Sequence, residues 1–97
     1  MTDMESLTVT LRKPLEDATG SIRYETLTLT EPVLMQVEQF YSAQKKSDGL
    51  VAMRLLVSLV SGVPENIIRR MAYTDFRRCE AYLTRFLVWS PSGGGAS

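Results

Sequence analysis

The sequence contains no histidine and a single cysteine, Cys79, among its 97 residues. Without histidine the chain lacks the side chain that most often transfers protons near neutral pH and most often binds transition metals. One cysteine cannot form an internal disulfide or, by itself, a thiolate zinc site, which suits a reducing cytoplasm. Because a reactive thiol needs an adjacent base, we expect Cys79 to be a buried small side chain.

An excess of charge of one sign is also missing, since eleven Lys and Arg side chains balance eleven Asp and Glu side chains. A chain with this balance has no general attraction to nucleic acid or to an anionic membrane. Its first ten residues, MTDMESLTVT, lack the basic patch and apolar core of a secretion signal. The sequence shows no glycine-rich phosphate loop and no metal-ligand spacing, so we expect no enzymatic activity, no metal and no cofactor.

The first thirty residues have the patterns of an antiparallel β-hairpin. Apolar and polar residues alternate from Leu7 to Leu11, which is the period of a half-buried strand. The segment SIRYETLTLT is also typical of a strand, but its alternation changes phase between Tyr24 and Leu27. We therefore expect a bulge near residues 25–26. Between the two strands, KPLEDATG contains Pro, Asp and Gly, which favour a turn.

From Thr30 onward the hydrophobic period becomes that of a helix. Thr30 can cap a first helix whose first turn holds Glu31 and Pro32, an arrangement that suits both the helix dipole and the missing proline N–H. A second helix follows KKSDG, in which either Ser47 or Asp48 can serve as the N-cap.

The remaining boundaries are marked by glycine, proline and polar residues. Gly62 is the expected stop of the second helix, and Pro64 can open a short third helix. Thr74 and Asp75 begin a last helix that runs to about Trp89.

These patterns predict a mostly helical α+β protein, with an N-terminal antiparallel β-hairpin followed by a small bundle of three to four helices. A chain of this length fits one domain. We place that domain at residues 1–89, with the hairpin at 6–29 and the bundle at 31–89. Residues 90–97, SPSGGGAS, have the composition of a flexible tail.

The second predicted helix has almost no polar side. Nine of the eleven residues from Leu50 to Val60 are apolar, and Arg54, Ser58 and Ser61 form one narrow polar stripe. Its length of about 16–20 Å falls short of the roughly 30 Å of bilayer hydrocarbon, so it does not predict a membrane span. The helix is either the centre of the bundle, or it leaves part of its surface open for a partner or a second copy.

Covering such a helix completely takes at least three apolar neighbours, and the hairpin can be the third only if it folds back across the bundle. If the hairpin projects away, an apolar patch remains exposed. We therefore predict a partner-binding surface with an aromatic rim, although Tyr82 and Trp89 of the last helix could instead pack at the edge of the core. The predicted binding residues are Leu55, Leu56, Leu59 and Val60, with Tyr41, Tyr82 and Trp89 at the rim.

Basic charge is concentrated between Arg69 and Arg85. This segment could contact phosphate or an acidic partner helix, or it could be a solvated face balanced by Asp75 and Glu80. Zero net charge and the lack of base-reading side chains at the start of the last helix argue against a DNA-binding helix-turn-helix. The arginines concerned are Arg69, Arg70, Arg77, Arg78 and Arg85.

The order of these elements resembles the small tail assembly chaperones of long-tailed bacteriophages. An L-x-L-x-E-P entry into the first helix, a small residue with glycine after an apolar helix, and an aspartate that opens a last helix ending in Phe-Leu all recur in that family. The corresponding residues here are Leu27, Leu29, Glu31, Pro32, Ser61, Gly62, Asp75, Phe86 and Leu87. The resemblance extends over Leu7 to Trp89. It implies a polar, acidic stretch after Pro32, where this chain has Val-Leu-Met at residues 33–35.

The resemblance implies a non-enzymatic chaperone that binds the amphipathic helices of the tape measure protein before the tail tube subunits polymerise around it. It also implies that the protein acts in the host cytoplasm and is absent from the mature virion. Tail tube subunits and a second copy of the chain are further partners that exposed apolar helices would suit. The alternative is a small phage-type regulator that binds nucleic acid or a host protein through Arg69–Arg85.

Overall fold

A computed structural model describes residues 6–87, which form a two-stranded antiparallel sheet followed by four helices. The predicted mostly helical α+β fold is thereby confirmed. Trp89 and the predicted tail at 90–97 lie outside the described residues. The elements are β1 (Leu7–Glu16), β2 (Arg23–Leu29), α1 (Leu34–Lys46), α2 (Gly49–Ser61), α3 (Glu65–Ile68) and α4 (Tyr73–Leu87).

The hairpin contains an irregularity at the predicted position on β2, but the extra residues belong to β1. Regular pairing runs from Leu7–Leu29 to Thr10–Thr26 and resumes at Leu15–Tyr24. Residues 11–14 of β1 therefore lie opposite a single residue of β2. The first strand thus continues to Glu16, through the first half of the KPLEDATG segment, and the predicted turn lies in its second half, where the N–H of Gly20 donates to the carbonyl of Asp17 at 3.0 Å. Pro14 has no N–H to donate, so the ladder is interrupted there while the strand direction is kept.

Helix α1 begins later than predicted. Glu31 and Pro32 precede the helix, whose N-cap is Val33. The backbone N–H of Val33 donates to Oε1 of Gln36 at 3.0 Å, which satisfies the amide at the helix entrance. A residue before proline is disfavoured in the helical region, which explains why Glu31 does not join the helix, and the prediction of a start at Thr30 is wrong.

Helix α2 has the two ends that its sequence indicates. Of the two candidate caps, it is Asp48 whose Oδ1 accepts the N–H of Val51 at 2.9 Å. Gly62 ends the helix with φ of 79°, a left-handed conformation that glycine adopts without a steric penalty. The short helix expected after Pro64 is present as α3.

The core lies between the hairpin, α2, α3 and α4, so the hairpin does fold back across the bundle. Val9, Leu27 and Leu29 of the hairpin are 2% exposed or less. They join buried apolar side chains from α2, α3 and α4, together with Phe40 of α1, in one cluster. Among the described residues, no helix is both long enough and apolar enough to span a membrane.

Asp75 in the first turn of α4 joins this helix to the irregular part of β1. Its side chain is fully buried, and Oδ2 accepts the backbone N–H groups of Arg12 at 2.9 Å and Lys13 at 3.3 Å. Residues 11–14 have no regular β2 partner, so the N–H groups of residues 11–13 need another acceptor. The aspartate that the sequence places at the start of the last helix therefore links α4 to the strand.

Candidate partner-binding site

Helix α2 has a buried face and a partly exposed face. Ala52, Leu56 and Val57 have no exposed surface, and they face the core. Leu55 and Leu59 on the other side of the helix are only partly buried. The helix is therefore the centre of the bundle and is also incompletely covered, while the use of its open part by a partner or a second copy stays a prediction.

The predicted binding residues are divided between the core and the surface. Leu56 is fully buried and Tyr82 is 6% exposed, so neither offers a partner an open side chain in this conformation. Leu56 lies one turn from Ala52 on the buried face of α2, which explains why it is sealed. The more accessible members of the set are Leu55, Leu59 and Val60, which are partly buried, and Tyr41, which is 40% exposed. Binding by the predicted set stays a prediction.

Sequence reasoning missed an exposed apolar patch of three consecutive residues at the start of α1. Val33, Leu34 and Met35 are 56%, 73% and 63% exposed. Val33 lies outside the helix, because it is the N-cap and α1 starts only after it. The available signal was the Val-Leu-Met sequence itself, which replaces the polar stretch that the family resemblance implies.

The exposed patch continues along α1. Leu34, Val37 and Tyr41 are spaced i, i+3 and i+7 and therefore share one face of the helix over about 10 Å. Leu34 and Tyr41 are exposed, whereas Val37 is partly buried. Gln36 Nε2 donates to the backbone carbonyl of Leu59 at 3.2 Å, which ties this part of α1 to the end of α2. We call the set Val33, Leu34, Met35, Val37 and Tyr41 the α1 surface.

A groove with a volume of about 500 Å³ opens between α1, α2 and α4 at the far end of this surface. Tyr41 stands at its edge, where its hydroxyl donates to the backbone carbonyl of Leu87 at 3.3 Å. The aromatic rings of Phe40 and Tyr41 meet edge to face with centroids 5.1 Å apart. We call it the α1–α4 groove; its lining residues are Phe40, Tyr41, Gln44, Gly49, Leu50, Met53, Glu80, Thr84 and Leu87.

A smaller cavity of about 230 Å³ lies on the other side of Leu50, between the first half of α2 and the α3–α4 junction. Leu50 and Tyr73 at its mouth are 58% and 61% exposed. Tyr73 stacks on Phe76 with ring centroids 6.2 Å apart. We call it the α2–α3 cavity; it is lined by Asp48, Leu50, Val51, Arg54, Ile68, Arg69, Met71, Tyr73 and Phe76.

The five arginines between residues 69 and 85 are all exposed, but several are bound to neighbouring groups. Arg78 Nη1 donates to the backbone carbonyl of Thr10 at 2.8 Å and lies 3.5 Å from Asp75 Oδ1. Arg77 Nε lies 3.3 Å from Glu80 Oε1. The predicted balancing of this face by Asp75 and Glu80 is therefore present.

The predicted burial of Cys79 is confirmed, since its side chain has no exposed surface. Burial raises the pKa of the thiol to about 11, and the neighbouring charge of Asp75 adds to the effect. A neutral, buried thiol is a poor nucleophile. Within residues 6–87, acidic and cysteine side chains form no cluster that could hold a metal ion.

Fold and surface together define a small α+β protein with cavities of mixed apolar and polar lining between its helices. Over residues 8–88 the sequence matches the family described as phage tail assembly chaperone proteins, E, or 41 or 14. The match covers most of the chain, and the chain belongs to this family, as the resemblance predicted. Neither the curated proteins nor the solved structures contain a match.

Proposed function

We propose that this tail assembly chaperone binds amphipathic helices of the tape measure protein and shields their apolar side chains until the tail tube polymerises. The role requires binding alone, so no catalytic step is involved. The chaperone acts in the host cytoplasm and is released before the virion is complete. The observation that carries the proposal is the exposed α1 surface next to the α1–α4 groove.

The α1 surface has the spacing that a helical partner would need. An amphipathic helix presents apolar side chains at i, i+3, i+4 and i+7. Leu34, Val37 and Tyr41 follow a matching spacing along α1. Burying one large apolar side chain is worth about 1.5–3 kcal/mol. Several such contacts are needed, because association itself costs several kcal/mol.

The α1–α4 groove adds a concave part to this surface. Phe40, Met53 and Leu87 provide apolar lining, while Gln44 and Glu80 are polar lining residues. An apolar groove between helices is a common receiver for one face of an amphipathic helix. Such a groove would orient the partner helix, and the α1 surface would extend the contact beyond it.

A binding experiment with matched variants tests this proposal. The chaperone is coexpressed with a tape measure segment of the same phage that contains amphipathic helices, and the soluble complex is measured. Leu34→Glu places a charge on the α1 surface and is expected to weaken binding about tenfold or more, because one large apolar contact is lost. Gln39→Glu introduces the same charge at an exposed position outside that surface and should bind like wild type.

Circular dichroism separates binding from folding in this experiment. Leu34 is 73% exposed, so Leu34→Glu should retain the helical signal and thermal midpoint of wild type. Equal recovery of soluble tape measure segment with wild type and Leu34→Glu would show that the α1 surface is not the binding site. Failure of wild type to bind any tape measure segment would refute the proposed function as a whole.

A further inference from the structure

The α2–α3 cavity differs from the α1–α4 groove in its charge. Its inner lining is apolar, with Ile68, Met71 and Phe76 all buried in the core. Two arginines, Arg54 and Arg69, also line it. A cavity that combines an apolar lining with cations is suited to a ligand that carries an apolar group and a negative charge side by side.

The hydrogen-bonding capacity of these arginines is only partly used. Arg54 Nε is buried without a hydrogen-bond partner among residues 6–87, and its nearest acid, Glu65 Oε2, is 3.8 Å away. The exposed side chain of Arg69 forms no ion pair with any residue that the structure describes. The Arg54 side chain is 30% exposed and its pair with Glu65 is long, so a ligand carboxylate can approach the exposed part of this side chain as well as Arg69.

The single acidic residue in the lining does not cancel this charge. Asp48 is the N-cap of α2, and its Oδ1 already accepts the N–H of Val51 at 2.9 Å. A capping carboxylate is also held by the partial positive charge at the helix N-terminus. The cavity therefore offers Arg69, which has no ion pair among the described residues, and Arg54, which shares its charge with Glu65 in a long pair of 3.8 Å, beside one carboxylate that is already engaged.

From this arrangement we infer that the α2–α3 cavity is a second docking site, which takes one large apolar side chain of a partner together with an adjacent carboxylate. The inference rests on the proposed function for the identity of the partner, a tail protein, and adds the kind of segment recognised. About 150 Å³ of cavity is enough for a benzene ring. A volume of about 230 Å³ thus has room for one Phe or Leu side chain.

The exposed residues at the mouth support the same occupant. Tyr73 is 61% exposed and stacks on Phe76, with the guanidinium of Arg77 at 5.8 Å from its ring centroid. Leu50 closes the opposite side and is 58% exposed. An incoming apolar side chain would pack between these two residues while its neighbouring carboxylate meets Arg54 and Arg69.

The first test uses the wild-type chain and two small probes, N-acetyl-L-phenylalanine and its neutral amide. Chemical shifts of the backbone amides are followed by NMR as each probe is added at low salt. We expect shifts centred on Leu50 and Tyr73, with the acid binding about three- to tenfold more tightly than the amide. Added salt should reduce that preference. Equal affinity of the two probes, or shifts centred elsewhere, would overturn the inference.

Variants then assign the preference to the two arginines. Arg69→Gln changes an exposed side chain and should lower the acid-to-amide preference without changing stability. Arg54→Gln should lower it further, although it also removes the neighbour of Glu65. Lys45→Gln removes the same charge from an exposed residue that lines neither cavity, and should leave the preference unchanged. An unchanged preference in Arg69→Gln and Arg54→Gln would contradict the assignment.

The outcome is separable from that of the proposed function. Binding of the tape measure segment with no discrimination between the probes would leave the proposed function standing and refute the second site. Discrimination between the probes without any binding of the tape measure segment would support the second site and refute the proposed function. Light scattering identifies a competing occupant: if the acid probe dissociates an oligomer of this chain, a second copy fills the cavity and the inference is wrong.

Discussion

Leu29 and Leu34 are five residues apart, yet the first has no exposed surface and the second is 73% exposed. Leu29 ends β2 and faces the core, whereas Leu34 begins α1 and faces solvent. A leucine before the Glu31–Pro32 segment therefore contributes to the folded core, whereas a leucine after it remains exposed to solvent and open to association. Hydrophobicity alone does not distinguish these two uses.

The difference follows from how many neighbours each region has. The hairpin contacts α2, α3 and α4, and its backbone also forms hydrogen bonds with the side chains of Asp75 and Arg78. Helix α1 packs mainly against α2. A helix with one neighbour buries one stripe of side chains, so its outer face stays exposed. We therefore expect the hairpin side to be the more stable part of the molecule, whereas the outer face of α1 is the part left exposed.

A substitution of the same kind in each region should separate them most clearly. Leu56→Ala leaves a cavity at a fully buried position and should lower the free energy of unfolding by about 2–5 kcal/mol. Leu34→Ala changes an exposed side chain and should alter the free energy of unfolding by less than about 0.5 kcal/mol. Urea unfolding measures both values. Similar losses in the two variants would mean that α1 is as tightly packed as the core.

The reactivity of Cys79 reports on how completely the hairpin side is sealed. The raised pKa of about 11 means that the folded protein keeps the thiol protonated at pH 8, where an unfolded thiol of pKa about 8.5 is partly ionised. Alkylation at pH 8 should therefore be at least about a hundredfold slower in the folded protein than in urea. Labelling followed by mass spectrometry gives both rates, and equal rates would show that this region opens readily.

The bond from Asp75 to β1 should contribute more than an ion pair on the surface of the same helix. Asp75→Ala leaves the N–H groups of Arg12 and Lys13 without their acceptor and should cost about 1–3 kcal/mol of unfolding free energy. Glu80→Ala removes only a partly exposed pair with Arg77 and should cost about 0–1 kcal/mol. The opposite ranking in thermal or urea unfolding would show that α4 does not depend on this link.

The start of α2, near the exposed side, should depend on a local bond. Asp48→Ala removes the acceptor of the Val51 N–H and should cost about 1 kcal/mol. Ser47→Ala tests the neighbouring candidate cap, whose side chain is exposed, and should be close to neutral. Chemical denaturation of the two variants decides between them. A larger loss in Ser47→Ala would contradict the assignment of the cap.

Much of the fold could be predicted because its signals are local. The alternation around Val9, the cap at Asp48 and the stop at Gly62 each depend on side-chain period or backbone conformation within a few residues. The irregularity opposite Glu25 was also predictable from the change of phase on β2. The assignment of its extra residues to β1 was not, because it depends on which strand α4 supports through Asp75.

The candidate site was harder to predict, because exposure depends on which neighbours cover a residue. By itself the amino-acid order determined the type and sequence of most elements and the family. It also determined that α2 has almost no polar side to expose to water. Only the tertiary structure decided that Leu56 and Tyr82 are buried while Leu34 and Leu50 are exposed. The physical reason is that short-range chemistry sets the conformation of each segment, whereas burial is set by segments distant in the chain that pack against it.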